Sequence, residues 1–152
     1  GDHTNTKSNV ISAALRLPSM RKEESDLRDR AWAALDEVQL TDVAYSPAAG
    51  LPFGTLKRIE LARALIANPR LIMLDEPASG LTHAEVDSLA QDIKNLRDRH
   101  NLTILLVEHH MRMVLGISEK LVVLNFGRKI ADGDPDVVRS DPEVIEAYLG
   151  SS

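Results

Sequence analysis

Three short runs of mostly branched aliphatic residues, Leu71–Leu74, Leu102–Val107 and Leu121–Leu124, set the strongest limit on what this chain can fold into. Each is the length of a buried strand. Between the first two lies HAEVDSLAQDIKNLRDRH, with Val86, Leu89, Ile93 and Leu96 at helical spacing. A short helical stretch around Met111 to Leu115 separates the second from the third. Apolar strands without polar alternation, separated by helices, predict right-handed crossovers and a parallel sheet covered on both faces. The expected class is therefore α/β.

The texture before Asn68 is different. From Glu23 to Leu40, Leu27, Ala31, Ala34, Leu35 and Val38 recur at helical spacing. The proline- and glycine-rich stretch SPAAGLPFG, Ser46 to Gly54, breaks that pattern. A second helix is expected over Thr55 to Ala67, with Ile59, Ala62, Leu65 and Ile66 on one face and Asn68-Pro69 closing it. After the third strand come a turn at NFG, a short RKIADG strand and two small helices opened by Asp134-Pro135 and Asp141-Pro142. The expected division is a helical part over residues 1–67, an α/β part over 68–127 and a tail of strand and helices over 128–152.

Composition narrows the function. A formal net charge of −5 argues against a nucleic-acid partner, because a domain that lives on phosphate contacts carries a basic surface. The absence of cysteine excludes disulfides, zinc fingers and thiol catalysis. No apolar run approaches the roughly 18 residues of a membrane-spanning helix, so no direct membrane insertion is expected. The chain starts with Gly1 and a polar, unpatterned GDHTNTKSN, which reads as a cut end rather than a signal peptide.

The chemistry gathers where the strands end. In LIMLDEPASGL, Leu71 to Leu81, an apolar strand runs into adjacent carboxylates, Asp75 and Glu76. Ligands of open parallel sheets bind beyond the carboxyl ends of strands. A carboxylate there suits Mg²⁺ held through water, and its neighbour suits activation of an attacking water. A plainer role is equally open, with Asp75 capping the next turn and Glu76 solvated. The second strand ends in His109 and His110, which places an imidazole near the same spot if the two strands are neighbours. Upstream, LPFGTLKR passes from Gly54 directly into a helix, whose first N–H groups suit an anion, although Gly54 is equally a turn glycine.

In order and spacing, these segments resemble the ATP-binding cassette ATPases. LPFGTLKRIELARAL is similar to the family's signature motif and its helix, LIMLDEP to the Walker B segment with its catalytic glutamate, ASGLT to the D-loop, and LLVEHHM to the switch-histidine segment. The likeness runs from Leu17 to Gly150. It implies the C-terminal part of a P-loop NTPase fold, a parallel sheet flanked by helices plus a helical signature subdomain. It also implies ATP and Mg²⁺ as cofactors. Asp75 would hold the water shell of Mg²⁺, Glu76 would polarise the attacking water and His109 would contact the γ-phosphate. Pro52, Phe53, Gly54 and Thr55 would face the nucleotide of a second ATPase subunit. The tail, ISEKLVVLNFGRKIADGDPDVVRSDPEVIEAYLG, looks most like the ATPase subunits of branched-chain amino acid importers.

Several positions depart from the family pattern. Pro52 stands where the signature serine is usual, Phe53 where a glycine is usual, Thr55 and Leu56 at the glutamine-type positions, and Thr82 where many D-loops carry aspartate. A P-loop requires G-x-x-x-x-G-K-[ST], yet none of the eight glycines is followed by lysine. The resemblance therefore implies that the P-loop and glutamine loop lie upstream of Gly1, that this stretch is inactive alone, and that Leu102–Val107 and Leu121–Leu124 have lost a shared neighbour strand and expose apolar edges. The expected whole is a cytoplasmic ATPase, peripheral to the inner membrane, which dimerises and docks on transmembrane permease subunits. Trp32, off the apolar stripe of its helix, is a candidate docking contact or packs against RLPSM. The alternatives are the ATPase of a lipopolysaccharide- or urea-type transporter, and a non-catalytic interaction module that keeps the fold.

Overall fold

The computed structural model describes residues 6–149. The chain divides into two compact units, Gly1–Leu51 with Arg58–Pro69, and Pro52–Lys57 with Arg70–Ser152. Among the described residues no helix is long and apolar enough to cross a membrane.

The first unit is helical. Helix α1 runs over Thr6–Glu37, longer at its start than the apolar pattern predicts. Its expected stripe is buried only near the end. Ala34 and Val38 are buried, whereas Leu27 is 57% exposed, because residues 20–30 are exposed on every face of the helix. The helix stops through Gln39, whose φ of 57° turns the chain so that Leu40 N–H reaches Leu35 O at 2.9 Å. A 3₁₀ turn over Thr41–Val43 follows, and Tyr45 meets Trp32 edge to face at 5.8 Å. Trp32 is half-buried. The RLPSM side chains up to Ser19 lie outside what is described. Helix α2, Phe53–Ile66, begins two residues before the predicted start. It buries Leu61 and Ala62, while Ile59, Leu65 and Ile66 are half-buried. Asn68, at φ 48°, closes it by donating to Leu65 O at 2.8 Å.

In the second unit, β1 (Leu71–Asp75) pairs in parallel with β2 (Thr103–Val107), Leu71 opposite Thr103 and Asp75 opposite Val107. The crossover is α3, His83–His100, whose buried residues Val86, Leu89, Ala90, Ile93 and Leu96 contain the predicted stripe. Its start is a capping box of Thr82 and Glu85, and Asn101 in the left-handed conformation ends it. Helix α4 covers Met111–Ile117. Strand β3, Leu121–Asn125, pairs antiparallel with β4, Arg128–Gly133, so the strands form two separate two-stranded sheets. Among the described residues the parallel sheet has two strands and not three: β2 and β3 are not hydrogen-bonded to each other, as expected of strands that have lost a shared neighbour. A cavity of about 660 Å³ lies between them, lined by Leu105, Val107, Leu121, Val123 and Val114 among others.

Coverage of both strand faces is corrected as well. Ile72 is buried, yet Leu71, Met73, Leu105 and Val107 are each half or more exposed. Sheets bury both faces only when a layer packs on each, and among the described residues this second layer is lacking. Leu121, Val123, Val138 and Val144 form a smaller core under the tail. There α5 (Pro135–Val138) and α6 (Pro142–Val144) start as predicted, with Asp134 and Asp141 accepting from Asp136 and Glu143 N–H.

Candidate functional site

The parallel register brings the ends of β1 and β2 side by side. Asp75 is the exposed last residue of β1. Glu76 extends the ladder by one bond, its N–H donating to Val107 O at 2.8 Å. It does so at φ 45°, a left-handed conformation that costs a non-glycine residue about 1–3 kcal/mol. Strain of this kind turns the chain sharply out of the sheet, and the Glu76 side chain ends 3.7 Å from His109, Oε1 to Nδ1. Both side chains are more than half exposed, so the pair itself contributes little stability.

Glu108, which the sequence reading did not single out, holds this corner together. Its side chain has no exposed surface. Oε1 accepts from Ala78 N–H at 2.8 Å, which fastens the loop after β1. Oε2 accepts from the N–H groups of His109 and His110 at 2.9 and 3.2 Å, and lies 2.9 Å from His110 Nδ1. Burial pushes the carboxyl up, but the bonds from His110, Ala78 and His109 outweigh it and hold the group below the ordinary glutamate value. The available signal was a carboxylate closing an apolar strand, the same feature that drew attention to Asp75. His110 also faces this corner: its ring is half-buried, bonded to Glu108 and 4.6 Å from the His109 ring.

The signature-like stretch meets a different neighbour. Pro52 is exposed and its C=O accepts from Leu56 N–H at 3.1 Å, opening α2; Thr55 is half-buried in the first turn. Phe53, 49% exposed, packs on the loop after β1, where a Cβ on Gly80 would lie 3.0 Å from its ring. Lys57 Nζ sits 5.4 Å from the centre of the same ring. A Cβ on Gly54 would lie 3.0 Å from Glu85 Oε1, so the helix start read as an anion seat already faces a carboxylate of the chain itself. Glu85 is held below its ordinary value by the Thr82 backbone and hydroxyl and, more weakly, by the Gly54 backbone. The fold thus assembles two clusters. One is Glu76, Glu108, His109 and His110; the other is Phe53, Gly54, Gly80 and Glu85. Asp75 adjoins the first in sequence and at the strand end.

A strand end carrying two carboxylates, beside a second strand end carrying histidine, with a helix start packed on the intervening loop, has the layout of part of an ATP-binding cassette. The profile of the ABC transporter family matches residues 2–79, and that of the branched-chain amino acid ATP-binding cassette transporters matches residues 128–152. The chain belongs to the ABC transporter family. It is 41% identical over 150 residues to the high-affinity branched-chain amino acid transport ATP-binding protein BraF of Pseudomonas aeruginosa and, equally, to LivG of Escherichia coli K12. Both alignments take in 99% of this chain and 59% of the relative. The lipopolysaccharide export system ATP-binding protein LptB of Haemophilus influenzae is 33% identical, over 88% of this chain and 52% of that protein. An ATP-binding cassette of an ABC transporter, solved in its ADP conformation, matches with a TM-score of 0.74 and 30% identity, covering 82% of this chain and 50% of that one. A nucleotide-free cassette matches at 0.72 with 29% identity, covering 82% and 51%. The chain therefore spans about three fifths of the length of the curated relatives it matches.

Proposed function

We propose that the chain is the signature, Walker B and switch-histidine portion of an ATP-hydrolysing subunit of an importer for branched-chain amino acids. The observation that carries the reading is the apposition of Glu76 and His109 at the carboxyl ends of paired parallel strands. Glu76 takes the role of polarising the attacking water, and its strained backbone aims the carboxylate out of the sheet. His109, held by its own N–H on Glu108, donates to the γ-phosphate. Asp75, one exposed hard oxygen at a strand end, fits an ion that keeps most of its waters and takes one or two carboxylates. Bound there with the phosphates, Mg²⁺ would neutralise charge on them. Pro52, Phe53, Gly54 and Thr55 are assigned to the nucleotide of a second copy of the subunit. Permease subunits supply the membrane attachment on the cytoplasmic side of the inner membrane.

Two features favour this solute class over the lipopolysaccharide type. The tail over residues 128–152 matches the branched-chain profile, and the identity to BraF and LivG exceeds that to LptB. No G-x-x-x-x-G-K-[ST] segment occurs in the 152 residues, so the phosphate cradle is assigned to sequence outside them. The chain by itself should release phosphate from Mg-ATP only at background rate. In a whole cassette carrying this stretch, Glu76→Gln should lower ATP hydrolysis by about 10²–10⁴ while ATP binding persists. Full turnover in that variant would overturn the assignment.

A further inference from the structure

We infer that Glu108, His109 and His110 form a binding site for a borderline-soft divalent cation of the Zn²⁺ class, open towards Glu76. One ligand atom from each of the three residues lies within 4.8 Å of the others. His110 Nδ1 is 2.9 Å from Glu108 Oε2, and His109 Nδ1 is 3.8 Å from the same oxygen and 3.7 Å from Glu76 Oε1. Zinc bonds of about 2.0–2.2 Å in a tetrahedron put neighbouring ligand atoms about 3.3 Å apart. The separations of the two histidine nitrogens from Glu108 Oε2 bracket that value, and the three ligand atoms lie within 4.8 Å of one another.

The two longer separations are informative. At 3.7 and 3.8 Å, the His109 nitrogen is too far from either carboxylate for a hydrogen bond, yet both oxygens converge on it. Spacing of this size leaves room for an ion between the His109 nitrogen and the two oxygens. The oxygen at the centre is also oriented in advance. Ala78 N–H holds Oε1, the outer-shell support that fixes a metal-binding carboxylate, while Oε2 accepts from the His109 and His110 N–H groups and meets His110 Nδ1 at 2.9 Å, so an ion takes the place of that last contact. His110 Nδ1 gives up its contact with Oε2 to the ion, which replaces the proton between the two atoms.

Two imidazoles and a carboxylate select against Mg²⁺, which requires oxygen ligands and keeps its waters, and favour Zn²⁺, Ni²⁺ or Cu²⁺. The site is thus chemically distinct from the Asp75 position proposed for Mg²⁺. It shares Glu76 and His109 with the proposed hydrolytic site, so an ion here would withdraw both from ATP. That consequence rests on the proposed function, whereas binding measured without nucleotide does not.

Titration of the chain with ZnCl₂ in millimolar Mg²⁺, followed by calorimetry, tests the site. The expected result is saturable uptake of one ion per chain. His109→Ala and His110→Ala should each weaken it by roughly 10–100-fold, since losing a ligand costs at least as much as losing outer-shell support. His83→Ala and His100→Ala should leave it unchanged. Co²⁺ in place of Zn²⁺ should give the visible absorption of a four-coordinate ion, lost in His109→Ala. His109 is exposed, so this variant keeps its fold, which circular dichroism confirms alongside. Absence of one-to-one uptake, or uptake that survives the His109→Ala/His110→Ala double variant, overturns the inference.

Discussion

Glu108 Oε1 accepts from the backbone N–H of Ala78 at 2.8 Å, across 30 residues of chain. A single carboxylate at the end of β2 therefore sets the course of the loop that leaves β1. Ala78 is fully buried and Pro77 is buried beside it, so the loop is seated rather than draped. Glu76, two residues earlier, inherits its position from that seat, as do the two histidines from the other oxygen of Glu108.

Removing that carboxylate should be costly. Glu108→Gln keeps the shape but sets an amide N–H₂ against N–H donors, leaving buried groups unsatisfied at about 1–3 kcal/mol each. Chemical denaturation should show a loss on the order of 2 kcal/mol. A loss within 0.5 kcal/mol, the range of an ordinary surface change, would mean that Glu108 does not organise the corner.

The same group makes stability depend on pH. The Glu108 and Glu85 carboxyls both lie below the ordinary value of 4.5 in the folded chain. A depressed acid binds its proton more weakly when folded, so its contribution is complete above the unfolded value and is lost as pH falls through the folded one. Urea midpoints should fall as the solution is acidified below about pH 4.5. The Glu108→Gln chain should show a flatter decline, and an unchanged slope would remove Glu108 as a cause.

The adjacent histidines should separate in stability measurements. His110→Ala loses the bond to Glu108 and is expected to cost about 1 kcal/mol. His109→Ala changes an exposed ring and should fall within about 0.5 kcal/mol. Equal effects of the two would contradict the asymmetry of their contacts.

The β3–β4 hairpin turns through Phe126 and Gly127, both at positive φ, with Asn125 opposite Arg128. Two-residue hairpin turns of this hand favour Asn-Gly, and a bulky residue in the left-handed region costs about 1–2 kcal/mol. Phe126 is wholly exposed and gains no burial in return. Phe126→Asn should raise stability by about 0.5–1 kcal/mol on these grounds; destabilisation would show that the ring has a packing role.

Gly80 lies against the Phe53 ring in the second cluster. Its φ of 78° disfavours any side chain, and an added Cβ would meet the Phe53 ring at 3.0 Å. Gly80→Ala should destabilise by about 1–2 kcal/mol. In the Phe53→Ala background the steric share should vanish and the backbone share remain, which a double-mutant cycle measures directly. Strict additivity would mean that the ring yields freely.

What the sequence determined alone was written over short spans. The stripe of α3, the acidic starts of α5 and α6, and the delivery of Asp75, Glu76 and His109 to strand ends all follow from spacing within one element. The succession of these motifs was enough to identify the family. Tertiary structure decided what depends on register between distant strands. Only the pairing of Asp75 with Val107 places Glu76 beside His109 and lets Glu108 reach Ala78. The exposed faces at Leu71, Met73, Leu105 and Val107 and the seat of Glu85 against Gly54 were likewise illegible. An apolar strand looks the same in sequence whether one face or two are covered, and a carboxylate carries no mark of the N–H groups that will claim it. Those outcomes are set by which neighbours the folded chain supplies.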